Sequence, residues 1–320
     1  MKKNTTSNRS DVAGLIFAIT DYLNREYVFP DIAKEISKHL KTELLNGTYS
    51  LAKTDSEFAK TVTDHMRSVN GDKHLLVSSI PPGRLDPDVD IDAERLERMR
   101  EHNFGFEQVR ILDSNVGYLE LIAFIDTKIE GAGIAATKAM ETLSDTSCLI
   151  IDLRSNGGGS PTMIQLVTTY LFEGDPIHLN SFYFRKTDNH KQFWTLPYVP
   201  GKRMPSVPVY VLTSEMTFSG AEEFCYNLKA LKRATIVGEK TGGGANPGDF
   251  HPLNRGLEIF VPHGRAINPI TKTNWEGVGV EPDIHCDSQD ALKVALEHHS
   301  LAADLGTLPF ETRSFPVERS

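Results

Sequence analysis

A chain of 320 residues, 39% hydrophobic and 24% charged, is long enough to bury a large core and suggests about two domains. Its 34 basic against 43 acidic side chains leave a net charge of −9, with no basic block, which argues against nucleic acid or an anionic membrane surface as partner and favours a soluble enzyme or binding protein. Cys148, Cys225 and Cys286 are too few and too scattered for a disulfide framework or a zinc site, so they read as buried free thiols.

From Asp11 to Val69 apolar residues recur at helical spacing, in Leu15, Ile16, Ile19 and Leu23, then Ile32, Ile36, Leu40 and Leu44, then Phe58, Val62 and Met66. The apolar run Val12–Ile19 follows Asp11, contains Gly14 and lacks a small-residue cleavage site, so it is read as the start of an amphipathic helix and not as a signal peptide. As given, the chain would be cytoplasmic; it would be periplasmic or extracellular if a signal segment had been trimmed. No stretch reaches the length of a transmembrane span. The turn signal Asn70-Gly71-Asp72-Lys73-His74 leads into a strand at Leu75-Leu76-Val77.

The chain is proline-rich and then charged from Pro81 to Glu101, as a linker followed by a short solvated helix would be. Asp86, Asp88, Asp90 and Glu97 have some of the spacing of a calcium loop, but Ile91 stands where the sharp turn needs glycine, so no metal is assigned.

Beyond Val109 strand and helix alternate. Strands are expected at Val116–Phe124, Cys148–Leu153, Val207–Leu212, Ala234–Val237 and Gly256–Val261. Helices are expected at Ile129–Leu143, from Pro161 to before Gly174, at Ser219–Leu231 and at Ala291–His298. Repeated strand–helix–strand units imply an α/β fold with a largely parallel, mixed sheet covered by helices, preceded by an N-terminal helical bundle. The expected domains are residues 1–80, a linker and short helix at 81–107, an α/β core at 108–302 and a tail at 303–320.

Three loops could carry chemistry. Asp152-Leu-Arg-Ser-Asn-Gly-Gly-Gly159 follows a buried strand and precedes a helix. It lacks the Lys-Ser/Thr of a phosphate loop and fits better as donors to a developing oxyanion, or simply as a tight turn. Thr217-Phe-Ser-Gly-Ala-Glu-Glu-Phe224 puts Ser219 at a strand-to-helix junction, beside free N–H groups and the positive end of the helix dipole. The same spacing, Ser219 with Glu222 three residues on, is also a capping box. Gly238-Glu-Lys-Thr-Gly-Gly-Gly244 is the third loop. In a parallel sheet the ends of these three strands lie along one edge, so the loops should converge.

These three stretches, with Trp275-Glu-Gly-Val-Gly-Val-Glu-Pro-Asp-Ile284, resemble the tail-specific, or C-terminal processing, serine peptidase family. The nearest branch is the one containing interphotoreceptor retinoid-binding protein and the tricorn core. The resemblance covers most of residues 11–290 and implies a ClpP/crotonase-like core. It makes Ser219 the nucleophile. Many relatives activate that serine with a lysine, but its place is taken here by Gly244, and the nearby Lys240 matches another position of the motif. The tricorn-like arrangement instead implies His74 as the base and Glu276 as the carboxylate that orients it, with oxyanion donors from Gly220 and Gly158. The chemistry is consistent: a serine needs a base to take its proton, and a carboxylate behind a histidine fixes the tautomer and stabilises the imidazolium. His102, His251, His263 and His285 lack metal-ligand spacing and read as structural, while Glu222 and Glu223 read as acids at a helix N-terminus.

The expected function is therefore a serine endopeptidase acting on peptides or protein C-termini through an acyl-enzyme, with no cofactor. The stretch between Pro82 and Gln108 is too short for the PDZ domain that many relatives carry, so recognition would fall to the cleft. A second reading keeps the fold but idles the site, making the protein a carrier of a retinoid or another apolar ligand.

Overall fold

A computed structural model describes residues 4–80 and 91–304. The chain begins with α1 (Asn4–Glu26), α2 (Pro30–Leu45), α3 (Asp55–Asn70), β1 (Leu76–Ser79) and α4 (Ile91–Glu101). Next come β2 (Phe106–Leu112), β3 (Val116–Leu121), α5 (Ala132–Thr142), β4 (Cys148–Asp152), α6 (Pro161–Thr169), β5 (His178–Phe184) and β6 (Asn189–Trp194). The rest comprises β7 (Val209–Thr213), α7 (Gly220–Ala230), β8 (Thr235–Gly238), β9 (Gly248–Pro252), β10 (Leu257–Pro262), β11 (Gly264–Ile267), β12 (Ile284–His285) and α8 (Ala291–Asp304). Asp86, Asp88 and Asp90 lie outside the described residues, as does the tail beyond Asp304. Among the described residues no helix is long and apolar enough to cross a membrane.

Two compact units emerge, each assembled from separate stretches of chain. The first comprises residues 1–97, 181–192 and 244–267, and the second 98–180, 193–243 and 268–320.

In the first unit α1 to α3 form because their apolar residues fall on one face, and local chemistry sets their ends. Pro30 opens α2 at a position that needs no N–H donor. Thr54 caps α3 by accepting the Glu57 N–H (3.1 Å), and left-handed Gly71 closes it, donating to the Arg67 carbonyl at 2.8 Å. The apolar stripes of all three helices meet Val77 of β1 and Leu257, Ile259 and Val261 of β10 in one core. β10 lies antiparallel between β1 and β9. Ile16 and Ile19, from the early apolar run, are buried in that core, as expected of an amphipathic helix.

In the second unit the sheet order is β12-β8-β7-β4-β3-β2; β3, β4, β7, β8 and β12 run parallel, and β2 pairs antiparallel with β3 at one edge. Successive side chains of a strand point to opposite faces. Val116, Tyr118, Cys148, Ile150, Tyr210 and Leu212 accordingly share a face with Ala291 and Ala295 of α8. The alternate residues Leu119, Leu149, Ile151 and Val211 are buried as well. A parallel sheet buried on both faces reads as a continuous apolar run, which explains Cys-Leu-Ile-Ile in β4. The cysteines are all free; Cys148 and Cys225 are buried and Cys286 is half-buried.

Glu223 of α7 is fully buried, and desolvation pushes its carboxyl up to about 8, against the smaller opposing influence of the nearby Asn180 and Asn227 amides. A carboxyl raised on folding contributes stability that is complete below its unfolded value near 4.5 and is lost as pH climbs through about 8. Denaturant unfolding should show stability falling by several kcal/mol, in order of magnitude, across that window. Glu223→Gln should flatten the fall, and an unchanged slope in the variant would show that Glu223 ionises freely in the fold.

Candidate active site

Parallel pairing brings the C-terminal ends of β4, β7 and β8 to one edge of the sheet, and polar side chains tie the loops that follow them. Tyr118 donates to Asp152 at 2.7 Å, and the Arg154 guanidinium forks onto the same carboxylate through Nε and Nη2 (2.9 and 2.6 Å). Asn156 is buried; its Nδ2 donates to the Leu121 carbonyl (2.8 Å) and its backbone carbonyl accepts the Phe218 N–H (3.1 Å). Thr217 adds a bond from its hydroxyl to the Leu153 carbonyl (2.9 Å). The first and second loops are thereby locked together around Ser219.

Ser219 stands at the N-cap of α7 with φ 52° and ψ −117°, a conformation that L-residues other than glycine rarely adopt and that costs of order 1–3 kcal/mol. A strand-to-helix turn of this kind is the backbone setting of a nucleophile elbow. The turn is held by Glu222, whose Oε2 accepts the Ser219 N–H at 2.8 Å. Glu222 thus fulfils the capping role expected of it while being fully buried, which the spacing alone did not require. Gly220 is the first residue of the helix, so its N–H has no partner within the helix.

Gly158 packs its backbone against this turn. A Cβ added there would lie 2.8 Å from the Gly220 nitrogen and 2.9 Å from both the Phe218 oxygen and the Ser219 Cβ, at a φ of +115°. Its own N–H, expected to face an oxyanion, instead donates to the Asn156 Oδ1 at 2.8 Å. This corrects the assignment of Gly158 as a donor. Its contribution is close approach, and Asn156, which the glycine-rich pattern did not single out, takes the N–H.

The third loop is fastened to the segment carrying Glu276. Thr241 and Val280 are joined by two hydrogen bonds, from the Thr241 N–H to the Val280 carbonyl (3.2 Å) and from the Val280 N–H to the Thr241 hydroxyl (2.7 Å). The Gly277 N–H reaches the Gly243 carbonyl at 3.0 Å. Gly279 allows this approach, since a Cβ there would meet the Thr241 carbonyl at 2.4 Å. Glu276 is half-buried, with its N–H on Asn274 Oδ1 (2.9 Å), next to buried Trp275, whose ring lies 5.3 Å from that of Tyr226 on α7. Lys240 projects outward, half exposed, and pairs with Glu281 at 2.7 Å.

His74 belongs to the first unit and is carried on a stiff turn. The Asp72 carboxylate accepts the His74 backbone N–H (2.9 Å), the Tyr27 hydroxyl (2.9 Å) and Asn246 Nδ2 (3.1 Å). Arg67 braces the other side through the Leu75 and Lys73 carbonyls (2.8 and 2.5 Å). The ring stacks on Phe260 at a centroid distance of 5.8 Å. Burial lowers its pKa below the ordinary histidine value; Asp72 opposes the shift and Arg67 adds to it. Asp72 and Tyr27 were not singled out from the sequence, although Asp72 two residues before a candidate base is the available signal. His251 and His263 lie beside Glu26 and Asp249, and His102 and His285 beside Glu107 and Glu281.

Residues 115–286 match peptidase family S41, and residues 3–102 match the N-terminal domain of peptidase S41 in eukaryotic IRBP. Carboxyl-terminal-processing peptidase 2 of the Arabidopsis thaliana chloroplast is 30% identical over 175 residues, which make up 52% of this chain and 31% of the relative. The chain spans about a third of that relative's length. A lipoprotein from Streptococcus agalactiae shares the fold with a TM-score of 0.59, at 18% identity, over 91% of this chain and 96% of the other. The tricorn protease does so with a TM-score of 0.54, at 14% identity, over 93% of this chain and 37% of its own.

Gly158→Ala should destabilise the protein by more than about 2 kcal/mol, because the left-handed backbone and the backbone–backbone contact would both have to give. Equilibrium unfolding measures this, and a loss under about 0.5 kcal/mol would mean that the contact with the Ser219 turn relaxes freely.

Proposed function

Because the chain belongs to peptidase family S41, we propose that it is a serine endopeptidase that cleaves peptides or protein C-termini. Ser219 attacks the scissile carbonyl, His74 takes its proton and returns it to the leaving amine, and Glu276 orients His74 and stabilises the imidazolium. The Gly220 N–H donates to the tetrahedral oxyanion, and water then resolves the acyl-enzyme. The observation that carries this reading is the backbone of Ser219, a non-glycine residue at φ 52° on a turn fastened from both sides. Strain of this kind is retained where it serves a function. Burial of His74 adds support, since a base must be neutral to accept a proton. Lys240, exposed and ion-paired, is a poorer base.

The Arabidopsis relative is named for carboxyl-terminal processing, and we carry that preference to this chain as part of the proposal. Recognition here falls to the cleft rather than to a PDZ domain.

Ser219→Ala should lower peptide hydrolysis by at least about 10³-fold. A fluorophosphonate probe should label Ser219 in the native protein and fail to label it in His74→Ala. Undiminished hydrolysis in Ser219→Ala would end the peptidase reading, and absent labelling with saturable retinoid binding would replace it with a carrier. The pH profile gives a separate check. Burial disfavours imidazolium, so the acid limb of kcat/KM should fall below histidine's ordinary 6.5. A limb above 6.5 would remove His74 as the base.

A further inference from the structure

Glu222 makes more contacts than a helix cap needs. Its Oε2 accepts the Ser219 N–H, while Oε1 accepts two further donors, the Thr241 hydroxyl (2.6 Å) and the Gly243 N–H (2.6 Å). Both donors belong to the third glycine-rich loop and are themselves buried. The Thr241 hydroxyl, having donated to Glu222, accepts the Val280 N–H at 2.7 Å, and the Gly243 carbonyl accepts the Gly277 N–H at 3.0 Å. Two short relays therefore leave one carboxylate and end on the segment that follows Glu276, at its neighbour Gly277 and at Val280. One runs through Thr241 to Val280, the other through Gly243 to Gly277.

We infer that Glu222 is a positioning residue that fixes the separation between the nucleophile Ser219 and the acid Glu276, with Thr241 as its transmitting hydroxyl. The inference rests on the peptidase reading above. Its physical basis is the rigidity of the link. A buried carboxylate with all three donors short and charge-assisted has little freedom to slide. Each relay then adds one further hydrogen bond, from the Val280 N–H to the Thr241 hydroxyl in one and between the Gly277 and Gly243 backbones in the other. A plain cap would require only Ser219 and Glu222. It would place no demand on Thr241 or on the segment from Trp275 to Val280.

Glutamine at 222 would set an amide N–H₂ against N–H or O–H donors whichever way it turned, so Glu222→Gln perturbs the cap and both relays together and does not separate them. Thr241 separates these effects. Thr241→Val removes the hydroxyl but leaves the Ser219–Glu222 bond intact, whereas Thr241→Ser keeps the hydroxyl and removes only a methyl group.

The test is steady-state hydrolysis of a peptide substrate by the full chain, across pH, for the native protein, Thr241→Val, Thr241→Ser and Glu276→Gln. Thr241→Val should lower kcat by about 10- to 100-fold, as a displacement of about 1 Å does, with KM changed less than about threefold. Thr241→Ser should restore kcat to within about threefold of the native value. The acid limb of kcat/KM in Thr241→Val should move to lower pH, in the direction given by Glu276→Gln, because a displaced carboxylate supports the imidazolium less. A purely structural role would lower the active fraction without moving the limb. An unchanged kcat in Thr241→Val, an unmoved limb, or failure of serine to rescue would overturn the inference while leaving Ser219 as nucleophile. A native protein that neither hydrolyses peptides nor labels at Ser219 would overturn the peptidase reading and this inference with it.

Discussion

The second unit depends on one constraint, the need to satisfy a buried carboxylate where a strand turns into a helix. Glu222 has no access to water, so each oxygen must find donors within the chain, and the helix N-terminus supplies a favourable potential but not enough N–H groups. The missing donors come from Thr241 and Gly243. Meeting that requirement draws the loop after β8 against the turn after β7, and the loop brings the 275–280 segment with it through Val280 and Gly277. The arrangement of this sheet edge thus follows from electrostatics as much as from packing. The apolar sheet below supplies only the parallel strand ends from which the loops depart.

The loops also explain why these polar residues recur in one short motif after β4. Asp152 and Arg154 neutralise each other at a strand end that would otherwise bury a lone acid, and Asn156 replaces the backbone bonds that a turn of three glycines cannot make for itself. With these in place Gly158 can press on the Ser219 turn, where any side chain would collide with backbone. The local strain at Ser219 is therefore maintained by its neighbours Asn156, Gly158 and Glu222, not by the serine.

Much of this was legible in the sequence because it depends on short-range pattern. Helical spacing located α1 to α3, continuous apolar runs located β4 and β7, and the strand–helix alternation gave the parallel order and hence the convergence of three loops. Family S41 was legible in four motifs whose residues touch one another in the fold. Other elements were hidden for physical reasons. β2, β6, β9 and β11 lie at sheet edges, and β5 between β11 and β6 is only half-buried at four of its seven positions, so all five carry mixed rather than apolar runs. β10 was recognised as a strand, but its partner β1 lies far from it in sequence, and no periodicity reports a pairing such as Leu76 with Phe260. The donor role of Gly158 was misread for a similar reason: a glycine pattern reveals where backbone can approach, but not which acceptor its N–H meets.

Two consecutive acids in the first turn of α7 show how position, not residue type, decides chemistry. Glu222 at the third helical position is surrounded by N–H and O–H donors, which stabilise the charged form. Glu223, one residue on, turns toward Asn180 and Asn227, and burial there favours the neutral acid. The rotation of about 100° per residue between them separates a polar seam from the core. Exchanging their roles would leave a carboxylate in the core and an acid proton facing N–H donors, both costly. The order Ser-Gly-Ala-Glu-Glu therefore encodes more than a capped helix, because it assigns one carboxyl to the loop-bearing edge of the sheet and the other to the interior with no change in composition.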